Sequence, residues 1–172
     1  LTLLSAKPVL YICNVLDPGD TENELVKKVK EIAKEDGSSV VALAAKIEGE
    51  IMEIEDPEER QMFMEEMGLV QTGLDLMISA GYGLLDLATY FTAGEQENRA
   101  WTIPRNATAP QAAGVIHTDF EKGFIRAEVY SIEDLVQYES EAAIKDAGKL
   151  RVEGKEYVVQ DGDIMHFRFN VK

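Results

Sequence analysis

Lys7-Pro8-Val9-Leu10-Tyr11-Ile12-Cys13, then Asn14-Val15-Leu16-Asp17, and further on Ser39-Val40-Val41-Ala42-Leu43-Ala44, are the segments whose reading decides the fold. The first and last are short, apolar and β-branched, the pattern of strands buried on both faces. Between them lies a loop with Pro18 and Gly19, then a helical run. Thr21 and Glu24 have capping-box spacing, in which hydroxyl and carboxylate each satisfy an orphan backbone N–H. Leu25, Val29 and Ile32 give this helix one apolar stripe, and Gly37 is placed to end it. Strand, helix, strand with all-apolar strands predicts a parallel α/β sheet.

Working outward, residues 48–66 hold nine acidic side chains and one basic one, Arg60, with methionines interspersed. Pro57 suits the first turn of a helix, so two short acidic helices are expected around it. A longer helix is expected over 72–90, weakened by Gly81 and Gly83. From Phe91 the pattern changes. Phe91-Thr92-Ala93 and Arg99–Ile103 read as strands around a polar loop over 94–98. Pro110–Gly114 can start a short helix, and Phe124–Tyr130 is a strand of alternating character. Ile132–Tyr138 and Glu141–Ala147 read as helices, the second closed by Gly148. Leu150–Val152, Glu156–Gln160 and Ile164–Val171 finish as strands, with Glu153-Gly154-Lys155 and Asp161-Gly162-Asp163 as turns. Strands, helices, then strands predict a compact α+β domain. The expected domains are 1–89 and 90–172.

The 172 residues suffice for one ordinary domain or two small ones, and 45% apolar with 28% charged residues is a globular balance. The longest apolar stretch, Val40–Ala45, is too short to span a bilayer. A lone cysteine, Cys13, forms no internal disulfide, which fits a reducing, cytoplasmic setting. Residue 1 is leucine, and Leu1-Thr2-Leu3-Leu4 reads as the end of an element, so a longer parent chain is expected. The net charge of −15 repels phosphate backbones, so free nucleic acid is not the partner that composition suggests; no DNA and no membrane partner is expected. Residues 1–90 carry 18 acidic and seven basic side chains, while 91–172 are closer to balance.

The candidate chemistry sits at the strand ends. In open parallel sheets ligands bind at the C-terminal edge, where Asn14-Val15-Leu16-Asp17 follows the first strand. An Asn amide can donate and accept at a purine N7 edge, and a following acid can accept from ring N–H groups. From the tetrapeptide alone, the better reading is that Asn14 and Asp17 shape the loop before the helix. Ala44-Ala45-Lys46 ends the second strand about thirty residues on. There a backbone N–H could meet a base and the Lys46 stem could cover its face; alone, Lys46 reads as an exposed strand-end lysine. His117 and His166 lie at no metal-ligand spacing from Cys13 or each other, and His117 reads as structural. The acidic clusters read as a solvated helix face. Trp101 and Tyr157 could present an aromatic face but read as packing.

KPVLYICNVLD and AAKIEGEI, together with AGEQENRAW, TAPQAAGVIHTDFEKGFIRAEV and YVVQDGD, resemble the C-terminal part of the YchF/Obg-like ATPase family, across essentially the whole chain. The resemblance implies the end of a P-loop nucleotide-binding domain with an acidic helical segment over 1–89, then a β-grasp TGS domain over 90–172. It implies a ribosome-associated parent that binds and hydrolyses ATP, or GTP, with Mg2+. Its TGS domain would dock on the ribosome through ribosomal RNA or protein. Asn14, Val15, Asp17, Ala45 and Lys46 stand at the family's base-recognition positions. Val15 replaces the GTPase lysine, which favours adenine, whereas Asp17 stands where the family has Glu and is the residue that reads guanine. No G-x-x-x-x-G-K-[ST] loop occurs in the sequence, so these residues are expected to be inactive alone and to hold no nucleotide tightly. The alternative is a non-catalytic TGS binding module docking on the ribosome or a protein partner.

Overall fold

A computed structural model describes residues 3–94 and 97–170. The expectations for Leu1, Thr2, Glu95, Gln96 and Val171 lie outside the described residues. The chain divides into two compact units, Leu1–Leu85 and Asp86–Lys172, and each is taken by itself.

In the first unit, β1 (Leu10–Asn14) pairs in parallel with β2 (Ser39–Leu43), bringing Asn14 opposite Leu43. The crossover helix α1 spans Glu24–Asp36 and buries Val26 and Ala33. Its cap is Asn23, whose Oδ1 accepts from the N–H groups of Leu25 and Val26, both at 2.9 Å. The expected Thr21–Glu24 capping box does not form. Residues Pro18–Glu22 make a 3-10 turn, within which the Thr21 hydroxyl donates to the Pro18 carbonyl at 3.2 Å. Gly37, at φ 70°, ends α1 in the left-handed conformation that glycine adopts without a Cβ penalty. The acidic helices α2 (Ala45–Met52) and α3 (Pro57–Glu66, with Pro57 in its first turn) follow. Then comes α4 (Gly73–Leu84), opened by a Thr72–Asp75 capping box.

The helix expected over 72–90 therefore ends early. Asp86 adopts φ 52°, and the chain enters β3 (Leu87–Thr92). The alternation there buries Ala88 and Tyr90 against the second unit's core, and that sheet packing overrides helical propensity.

The second unit carries a five-stranded mixed sheet in the order β4-β3-β7-β5-β6. Its remaining strands are β4 (Arg99–Pro104), β5 (Phe124–Ser131), β6 (Arg151–Glu153) and β7 (Asp163–Phe169). β3 and β7 are parallel, and the other neighbours are antiparallel. The period of two sends alternate residues to opposite faces. Tyr90, Ala127, Val129 and Met165 pack with α5 (Ala109–Ile116). Tyr130 and Ile164 pack on the other face with Ile144 of α8 (Glu141–Asp146) and Leu135 of α7 (Ile132–Tyr138). The short α6 (Thr118–Lys122) leads into β5 and is capped by His117, whose Nδ1 accepts from the Asp119 N–H at 3.1 Å. Trp101 lies against the core and donates through Nε1 to the Thr92 hydroxyl at 2.9 Å. Residues 156–160 form no ladder strand and carry one isolated bridge, Thr108 to Val158. Their backbone bonds the loop before α5 instead, through Tyr157 O to Ala109 N at 2.8 Å and Val159 N to Ala107 O at 3.0 Å. Among the described residues no helix is long and apolar enough to cross a membrane.

Burial, together with a hydrogen bond to Asp163, pushes the Tyr157 hydroxyl up to about 12. Burial also raises Tyr90, whose hydroxyl donates to Ala112 O at 2.8 Å. A folded-state value above the unfolded one of about 10 stabilises below that pH, and the contribution is lost as pH rises through the folded value. Wild-type melting temperature is thus expected to fall steeply between about pH 10 and 12. In Tyr157→Phe, which starts less stable, the fall should be shallower. Parallel melting curves for the two proteins across that range would refute the assignment.

Candidate functional site

The two strand ends singled out from sequence lie side by side. Because Asn14 faces Leu43 in the parallel register, the chain beyond each strand leaves the same sheet edge. The Asn14 side chain crosses the gap, its Oδ1 accepting from the Ala45 N–H at 3.1 Å. The Val15 N–H extends the ladder one step by donating to Leu43 O at 2.9 Å.

These bonds decide which groups of the segment can still meet a ligand. Of the backbone N–H groups over Ala44-Ala45-Lys46, where the sequence reading allows one to meet a base, that of Ala45 is bonded to Asn14. The donor at Ala45 fixes which end of the Asn14 amide is oxygen, and that leaves the Nδ2 group as the donor at the exposed edge. Asp17 is exposed, and its Oδ1 accepts from the Gly19 N–H at 2.8 Å to cap the 3-10 turn. Lys46 stands 85% exposed in the first turn of α2, with a loose 3.9 Å pairing to Glu50. Its flexible stem is therefore at liberty to cover an apolar ring.

A cleft of about 560 Å³ opens beside this edge, with Asn14 and Ala45 on its wall and Ile12, Met52, Leu74 and Met77 supplying apolar surface. Glu48 also lines it. This residue was read from sequence only as one member of a solvated acidic face. In fact it is half-buried and accepts from two backbone N–H groups, that of Ala44 at 3.3 Å and that of Gly73. No spacing rule would have picked it from the surrounding acids; its partner Gly73 lies 25 residues away in sequence.

A family model for the YchF GTPase C-terminal region, described as a protein of unknown function, matches residues 87–170. The chain is 56% identical over 168 residues to the ribosome-binding ATPase YchF of Pasteurella multocida, covering 98% of this chain and 46% of that protein. The chain belongs to the YchF family. The YchF named ribosome-binding ATPase in Bacillus subtilis is also 56% identical, over 99% of this chain and 47% of its own length. Among solved structures, the Schizosaccharomyces pombe YchF GTPase superposes with a TM-score of 0.80 at 38% identity, covering 96% of this chain and 44% of that one. This likeness establishes the mixed α/β fold class of the chain. The chain spans about half the length of the curated relatives it matches.

Proposed function

We propose that residues 1–85 complete the purine pocket of a P-loop ATPase, and that residues 86–172 form a β-grasp TGS module through which that ATPase engages the ribosome. The observation that carries the nucleotide half is the Asn14–Ala45 hydrogen bond across the two strand ends. It holds the Asn14 Nδ2 group as a donor toward a purine N7, an acceptor common to adenine and guanine. With Oδ1 of Asp17 engaged by Gly19, the guanine-reading role of that carboxylate is weakened, and no lysine stands at Val15. Both features support ATP over GTP. Lys46 covers the exposed ring face. The phosphates and Mg2+ would be held by a phosphate loop in the full-length protein, so hydrolysis belongs to that protein and not to these residues alone.

The large apolar side chains left open in the first unit support its reading as part of a larger domain. Leu16 is 89% and Val70 98% exposed, and a two-stranded parallel sheet cannot by itself cover both of its faces. For the second unit, the names of the relatives as ribosome-binding ATPases support a docking role on ribosomal RNA or protein in the cytoplasm.

The test is an equilibrium titration of the full-length protein with ATP and with GTP. Asn14→Ala is expected to weaken ATP binding about tenfold, the effect of losing one well-placed hydrogen bond together with the Ala45 tether. Unchanged affinity in Asn14→Ala would remove the purine pocket from this edge. Ribosome co-sedimentation of the protein with and without residues 86–172 tests the second half, and retention without them would move the contact elsewhere.

A further inference from the structure

We propose that Glu48 is a positioning residue for the purine site, setting the Asn14 amide through the Ala44–Ala45 backbone. The inference rests on the purine reading above. Two helices begin at this carboxylate. Oε1 accepts from the N–H of Ala44, the cap residue of α2, and Oε2 accepts from the N–H of Gly73, the first residue of α4. Each N–H is among the orphan donors of a helix start, and each helix start favours negative charge. One half-buried carboxylate therefore satisfies both, and α2 has no cap bond from the side chain of Ala44 itself.

Gly73 is built around this contact. A Cβ there would lie 2.6 and 2.9 Å from the Glu48 carboxylate oxygens and 2.5 Å from the Leu43 Cβ. Only a residue without a side chain lets the carboxylate rest on the α4 backbone while β2 passes beneath. The Ala44 cap is neither extended nor helical, at φ −109° and ψ 75°, so the direction of the next N–H, that of Ala45, follows from how the preceding peptide is held. Ala45 N–H in turn orients Asn14 Oδ1. The line of action thus runs from Glu48 through the Ala44 N–H to the Ala45 N–H and the Asn14 amide. Glu48 itself need not touch the base.

Glu48→Gln keeps the size of the side chain but turns one acceptor into a donor, which cannot satisfy both N–H groups. In the full-length protein this variant is expected to weaken ATP binding about five- to tenfold. Inorganic tripolyphosphate, which lacks a base, should bind as before. The decisive readout is the Asn14→Ala background, where Glu48→Gln should cost nothing further for ATP because both act on the same amide. An effect that adds fully to Asn14→Ala, or that weakens tripolyphosphate equally, would overturn the role and leave Glu48 a general brace of the fold. Normal ATP binding in Glu48→Gln while Asn14→Ala is impaired would also overturn it, with the purine site intact. Should Asn14→Ala itself bind ATP normally, the purine reading fails, and this inference with it. If Glu48→Gln does not fold, Glu48→Asp carries the same test, since it keeps the charge between the helix starts and shortens its reach.

Discussion

Asp163→Ala is expected to destabilise the second unit by about 3–5 kcal/mol, enough to unfold much of a marginally stable domain near physiological temperature. Asp163 is 2% exposed, and its two oxygens serve three donors. Oδ1 accepts from Arg151 at 3.2 Å, and Oδ2 accepts from the Tyr157 hydroxyl at 2.7 Å and the Gln160 N–H at 2.8 Å. Removing the acceptor leaves a guanidinium, a phenol and a backbone amide without their partner, and each must find water or remain unsatisfied. The loss falls where the chain is stitched across the sheet. Asp161 Oδ1 accepts from Thr89 N at 2.7 Å, and Gly162 N donates to Thr89 O at 2.8 Å, joining the start of β7 to β3. Asp163→Asn keeps one acceptor oxygen, which can still serve the Tyr157 hydroxyl and the Gln160 N–H, but turns the other into a donor facing Arg151; it should cost roughly half as much, because the Arg151 bond is lost while the other two survive. Urea unfolding monitored at Trp101 measures both. A cost of less than about 1 kcal/mol for Asp163→Ala would mean that the three donors re-pair readily and that the carboxylate is not the centre of this corner.

How far such features could be read in advance depended on what kind of information each needed. The β1–α1–β2 unit was readable because a buried parallel strand is a local apolar run and Gly37 is a local stop. The start of α1 was misread for an equally local reason. Thr21 and Asn23 can both cap, and Thr21 with Glu24 matches the capping box, but Pro18 and Gly19 continue into a 3-10 turn that consumes Thr21 and passes the cap to Asn23. The break at Asp86 was invisible. Leu84-Leu85-Asp86-Leu87-Ala88 carries no glycine or proline, and its switch to a strand comes from pairing with β4 and from burying Ala88 and Tyr90. Residues 156–160 failed in the opposite direction. Their strand-like composition is real, but the backbone partners are Ala107 and Ala109, which no sequence pattern announces. The candidate site divides in the same way. Asn14 and Ala45 could be singled out because each stands at the end of a recognisable strand, and the parallel register brings them within hydrogen-bond reach. The bridging contact of Glu48 had no signal in the sequence, because its partner is Gly73, a residue whose importance is the space it leaves empty.

The same logic of empty space gives the second large effect. Gly123→Val is expected to cost about 3 kcal/mol or more, and Gly123→Ala most of that. Its reason is not backbone conformation, since φ is −89° and ψ 4°, accessible to any residue. A Cβ at this position would sit 2.3 Å from the Asn170 carbonyl oxygen and 3.0 Å from the Asp119 carbonyl oxygen. Both obstacles are main chain, so no side-chain rotation relieves them. Asn170 N donates to Gly123 O at 2.9 Å, and Gly123 N donates to Asp119 O at 2.9 Å. Moving the chains apart therefore strains the bonds that close α6 onto the end of β7. It also pulls at the Phe120–Phe169 pair, stacked at 3.8 Å beside them. Gly81 and Gly83 supply the control, since within α4 a Cβ at either position meets nothing within 4 Å. There Gly→Ala should stabilise by about 0.5–1 kcal/mol through helix propensity alone. Chemical denaturation of the three alanine variants separates the cases. Equal and small effects at Gly81, Gly83 and Gly123 would mean that the β7 end can move away from Gly123 at little cost, whereas a loss confined to Gly123 identifies main-chain contact as the constraint that keeps this position without a side chain.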